Sequence, residues 1–110
     1  MEIKDLIKEI ENTRNEINDN IISMLNKHNT NEIICYECDD CPIVISGAED
    51  DCMTLDKVEL SKYNTIILGC SGSWNNDYIS IKELNIELLI EIYEWLIANE
   101  EILFYDEEEE

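Results

Sequence analysis

Aliphatic side chains recur at Ile3, Leu6, Ile7, Ile10, Ile17, Ile21, Met24 and Leu25 in the first 27 residues. Intervals of three and four gather them on one side of a helix, with Lys4, Lys8 and Glu9 between them on the solvent side. Ile3, Ile10, Ile17 and Met24 stand seven apart, the spacing of a coiled coil, but Thr13 and Asn20 interrupt its second seam position. The breadth of the apolar face predicts a helix packed on a sheet, ended by "NKHNTNE" (26–32).

Beyond it the period changes. "EIICYE" (32–37), "IVIS" (43–46) and "NTIILGC" (64–70) are short, β-branched and bounded by turn residues, as strands are. "MTLDKVEL" (53–60) predicts a further strand with imperfect alternation, a helical turn being the alternative. After the polar loop "SGSWNND" comes an extended "YISI", and Asn85 is placed to cap a helix from Ile86 to about Ala98. The order predicts an α+β fold: an N-terminal helix, a small antiparallel sheet of about four strands, and a C-terminal helix, both helices on one sheet face. We expect one domain over residues 1–105 and an acidic tail over 106–110.

Composition sharpens this picture. With 45% hydrophobic residues among 110, the chain can fold despite a formal charge of −20. It has neither a membrane-length apolar run nor a signal-peptide core, and its five cysteines fit a reducing compartment, so a soluble cytoplasmic protein is expected. The charge is uneven: residues 1–27 hold six acids and four bases, and residues 28–110 hold 21 acids and only Lys57, Lys62 and Lys82. Direct binding to nucleic acid or to an anionic membrane needs cationic surface, which is missing. A basic partner is the natural expectation.

On a helix turning about 100° per residue, Glu83, Glu87, Glu91, Glu94 and Glu101 share an arc of roughly 80°. Lys82, at the start, is the only base within reach of it. Like charges four residues apart cost ~0.2–0.5 kcal/mol each, a mildly unfavourable arrangement. Carboxylates at that spacing rise about 6 Å per step, against ~3.4 Å per phosphate in one DNA strand. Imitation of nucleic acid therefore needs a second row, for which Glu37, Asp39, Asp40, Glu49, Asp50, Asp51, Asp56 and Glu59 are candidates. Trp95, bordering the acids, is a candidate anchor.

In character the chain resembles the small, strongly acidic DNA-mimic inhibitors of phages and mobile elements, the anti-restriction and anti-CRISPR proteins. The resemblance rests on residues 28–110 and carries no shared motif, so it implies a kind of partner and no individual residue role. "ISIKELNIELLIEIYEWLI" (79–97) also resembles the C-terminal helix of small acidic bacterial proteins.

Cys35, Cys38 and Cys41 in "CYECDDCP" are spaced like part of a bacterial ferredoxin run, but Ile45 stands where the fourth cysteine would come. With Cys52 they form a candidate zinc set if the intervening segment turns; acidic neighbours oppose thiolate formation. Buried, inert cysteines are the simpler expectation, Cys70 continuing the core face of its strand. His28 is the only histidine, and "GCSGSW" does not match a nucleophile elbow, so neither enzyme nor cofactor is expected. We expect a non-enzymatic acidic binding protein that inhibits a basic nucleic-acid-binding protein. Its partner surface would be Glu83, Glu87, Glu91, Glu94, Glu101, Asp39, Asp40, Asp50, Asp51 and Trp95. The alternatives are an interaction module whose acidity serves solubility, and a cysteine metal protein.

Overall fold

The computed structural model describes residues 2–35, 43–46, 51–72 and 76–104, with the side chains of 43–46, 51 and 52 left aside. Helix α1 spans Ile3–Lys27 and ends in a Schellman motif. The Thr30 amide donates to the Leu25 carbonyl at 3.0 Å and the Asn29 amide to Asn26 at 3.1 Å. Asn29 takes the left-handed backbone the motif needs, at φ 57°, a conformation asparagine tolerates better than most residues.

Five strands follow: β1 (Glu32–Ile34), β2 (Ile43–Ser46), β3 (Asp51–Leu60), β4 (Ile66–Ser71) and β5 (Asn76–Ser80). All pairings are antiparallel, and β1 and β2 lie in line along the same edge of β3, so the sheet is four strands wide. Glu32 pairs with Glu59 and Ile43 with Thr54. Eleven positions thus separate the two pairings from β1 to β2, and five separate them along β3.

The uneven alternation of residues 53–60 has a physical cause. A β-bulge between Leu55 and Lys57 inserts Asp56 into the ladder. Leu55 and Val58, three apart in sequence, consequently both point into the core and are fully buried. Asp56 still contributes its carbonyl, which accepts from the Cys35 amide at 2.6 Å.

Asn85 starts helix α2 (Ile86–Ala98), its Oδ1 accepting from the Glu87 amide at 2.8 Å and the Leu88 amide at 3.3 Å. Asn99 then interrupts the helix, donating its side-chain amide to the Trp95 carbonyl at 2.8 Å, and a short α3 (Glu100–Leu103) follows. Both long helices close on one sheet face. Ile33, Cys35, Met53, Leu55, Val58, Ile66, Leu68 and Cys70 meet Ile17, Ile21, Met24 and Leu25 of α1 and Leu89, Ile92 and Leu96 of α2 in one core. Among the described residues no polar or charged side chain is buried there.

Two polar clamps dock α1. Asn18 accepts from the Ile66 amide at 2.8 Å and donates to the Asn64 carbonyl at 3.0 Å, pinning the β3–β4 turn. Arg14 donates to the carbonyls of Ile81 and Leu84, at 2.7 and 2.5 Å, just ahead of α2. Here the expected packing of α1 stops. Ile3, Leu6 and Ile7 are 78%, 49% and 52% exposed, since the docked part begins only at Arg14 and Ile17. A helix of 25 residues is about 37 Å long, more than a small sheet can cover.

Leu68 is wholly buried at the centre of this core. Leu68→Ala should lower unfolding free energy by about 2–5 kcal/mol, measured by urea denaturation. A loss below about 1 kcal/mol would show that the core lies elsewhere.

Candidate functional site

Burial of Leu89, Ile92 and Leu96 decides which side of α2 is left outside. The exposed side carries Glu87, Ile90, Glu91, Glu94 and Ile97, three carboxylates beside two isoleucines that are 37% and 48% exposed. At about 100° per residue these five positions share an arc of roughly 120°. Glu87 lies in the first turn, where the helix dipole favours a negative charge. Glu91 and Glu94 gain no such help.

Lys82, in the turn ahead of α2, is the base nearest these glutamates in sequence. Among the described residues the ion pairs are Lys4–Glu2, Lys27–Glu100, His28–Glu100 and Lys57–Glu59, and none involves Glu83, Glu87, Glu91, Glu94 or Glu101. Lys57 lies on the open sheet face, 3.3 Å from Glu59 and 5.6 Å from the centre of the Tyr78 ring. Its pKa is raised by the hydrogen bond and charge of Glu59 first, then by Tyr78 and Glu32. Gly69 makes room for its stem: a Cβ there would come within 2.9 Å of the Lys57 Cγ. Lys62 lies against Tyr63, 5.2 Å from the ring centre.

The five-glutamate arc is not one continuous helical ridge. Glu83 sits in the turn before α2 and Glu101 in α3, beyond the interruption at Asn99, so only Glu87, Glu91 and Glu94 keep the helical phase. Glu83 and Glu101 are nevertheless exposed. Of the second row, Glu37, Asp39, Asp40, Glu49 and Asp50 lie outside the described residues. Asp51 opens β3 opposite Ser46, Asp56 sits at the bulge, and Glu59 is paired with Lys57. Trp95 packs partly buried against the core, and its buried Nε1 has no hydrogen-bond partner among the described residues.

One cluster escaped the sequence reading. His28, at the end of α1, brings Nε2 to 2.7 Å from Glu100 Oε2, and Lys27 reaches the same oxygen at 3.3 Å. The His28 ring stacks on Phe104 with centroids 3.8 Å apart and planes 7° from parallel. The hydrogen bond from His28, then that from Lys27, holds the Glu100 carboxyl below the ordinary glutamate range. A signal was present: continued in the phase of α2, position 100 falls on the apolar arc, away from the glutamates. A carboxylate there must meet a cation or leave the core.

Cys35 and Cys70 are buried in the core, with the Cys35 Sγ 3.8 Å from the Ile33 carbonyl. Burial pushes the Cys70 thiol up to about 11, Asp56 and Asp77 adding to the effect. Cys38 and Cys41 lie outside the described residues, as does the Cys52 side chain, so the proposed cysteine set is not placed. Among the described residues no three of His, Cys, Asp and Glu gather as metal ligands, and no helix is long and apolar enough to cross a membrane. Comparison with protein-family models, curated proteins and solved structures gives no match.

Two outcomes follow from these groups. The contribution of a lowered carboxyl pKa is complete above the ordinary glutamate value of 4.5 and is lost as pH falls through the folded value. Glu100→Gln should therefore free α3 at pH 7, seen as faster amide exchange at Leu103 and Phe104, whereas Glu94→Gln should leave both unchanged. Equal effects of the two variants would contradict the tether. For Cys70 the sign is opposite: the unfolded thiol ionises first, so stability should fall as pH rises from about 9 to about 11. That fall should shrink in Cys70→Ala, and an identical pH profile would contradict it.

Proposed function

We propose that this chain is a non-enzymatic acidic binding protein whose α2 surface occupies the nucleic-acid-binding site of a basic protein. The observation that carries the reading is the exposed set Glu87, Glu91 and Glu94, with Ile90 and Ile97 beside them and no cation paired to them among the described residues. A surface made only to keep a protein dissolved does not need an unbroken acidic strip, since charges of both signs serve and interspersed lysines would relieve the repulsion along the helix. Unpaired carboxylates release their own counterions, and those of a cationic cleft, on contact. The two isoleucines add apolar contact that phosphates cannot supply. A binding role also suits a chain whose single histidine is already engaged by Glu100 and Phe104.

The test is displacement. Labelled duplex DNA held by each of a panel of basic nucleases and repressors should be released by the protein from at least one of them, less effectively as salt rises. Reversing the strip with Glu87→Lys, Glu91→Lys and Glu94→Lys together should weaken that competition by about ten-fold or more. No displacement anywhere in the panel would refute the proposal, and so would displacement that survives the triple reversal.

A further inference from the structure

The two edges of the sheet differ. β1 and β2 share one of them as strands of three and four residues, short enough to offer little to another chain. The other edge is β5, five residues long, bonded to β4 on one side and, among the described residues, to no strand on its outer side. Asn76, Asp77 and Tyr78 are exposed there. A row of unpaired main-chain groups is a template for a further strand.

The register identifies the groups in that row. The Ile81 amide donates to the Ile66 carbonyl at 3.2 Å, which makes those two residues a hydrogen-bonded pair. Antiparallel pairs alternate, so Leu68 with Ile79 and Cys70 with Asp77 are hydrogen-bonded as well. Asn76, Tyr78 and Ser80, in the intervening pairs, turn N–H and C=O away from β4. Two of these outward groups are satisfied from within the chain. Asp77 Oδ1 accepts from the Tyr78 amide at 2.8 Å, and the Ser80 carbonyl accepts from the Glu83 amide at 2.9 Å.

Position 77 makes the first of these contacts informative. It lies on the same side of the strand as Ile79, which packs against the core, and Ile81, which is wholly buried. It also pairs with the buried Cys70. An apolar residue is the ordinary choice on the core side of a strand. Asp77 is instead the only charged residue of β5, and its carboxylate turns to the edge.

We infer that the Asp77 carboxylate closes the β5 edge against addition of a second copy of the same strand. An antiparallel pair of copies centred on Tyr78 uses the N–H and C=O of that residue twice, and sets Asn76 of each copy against Ser80 of the other. The Asp77 cap and the Glu83 turn occupy one group in each of those pairings. Repulsion between two acidic copies opposes the same contact, but it fades as salt rises. The cap keeps the Tyr78 amide occupied when that repulsion is screened.

Amide exchange and sedimentation equilibrium on the full chain at about 0.5 M NaCl test the inference. Asp77→Ala should lower the protection of the Tyr78 amide by about five-fold or more, and leave that of Ile79 within about two-fold. The same variant should associate about ten-fold or more tightly than the wild type. Adding Tyr78→Pro removes the outward N–H and no bond to β4, and should return association to the wild-type level. Asp77→Asn keeps an acceptor oxygen without the charge, and should stay within about two-fold of the wild type in both measurements. Asp77→Ala that matches the wild type in either measurement overturns the inference. So does association that survives Tyr78→Pro, or Asp77→Asn that associates as strongly as Asp77→Ala, which would assign the effect to charge alone.

Discussion

The interior of this molecule is held by apolar burial. The core that joins α1, α2 and one face of the sheet contains no buried polar or charged side chain among the described residues, while the chain carries a formal charge of −20. Self-repulsion of that size opposes compaction. Everything else in the architecture follows from keeping the apolar face closed while the carboxylates remain in water. The polar contacts that dock α1, made by Arg14 and Asn18, reach main-chain groups and consume none of the acids.

The disposition of charge is selective. Where a carboxylate would have fallen on the core side, the break at Asn99 and the end of α1 supply partners: Glu100 meets His28 and Lys27, with Phe104 stacked on the imidazole. On the open sheet face Lys57 serves Glu59 in the same way. Lys27, His28 and Lys57 are thereby committed to local acids, and the outer side of α2 receives no such partner among the described residues. That division, paired acids at the end of α1 and on the sheet face and bare carboxylates on α2, gives the α2 surface its character.

Much of the fold was legible in the sequence because it rests on periodicity and caps. The heptad-spaced aliphatics of α1, the cap at Asn85 and the β-branched runs of β1, β2 and β4 each signal their element locally. The imperfect alternation of residues 53–60 was itself a signal, of a bulge at Asp56. What the pattern could not show was how far the sheet extends beneath α1: Ile3 and Ile21 have the same local signature, yet one is exposed and the other wholly buried. The cap at Asn85 already sets Glu83 outside α2, and the interruption at Asn99 takes Glu101 out of its helical phase. The cluster around His28 joins residues 72 positions apart: the helical phase of position 100 signals the need for a cation, and not which one. For the candidate surface, the sequence supplied residue types and spacing, and the structure added that Glu87, Glu91 and Glu94 face outward together with Ile90 and Ile97.

The negative charge is left largely unneutralised within the molecule and is outweighed by an apolar core. Urea unfolding of dilute protein at pH 7, compared at about 0.02 and about 0.5 M NaCl, tests it most directly. Screening of mutual repulsion should raise the midpoint at the higher salt with the slope unchanged. A midpoint that falls with salt would mean instead that the acids stabilise the fold through pairs with its own cations.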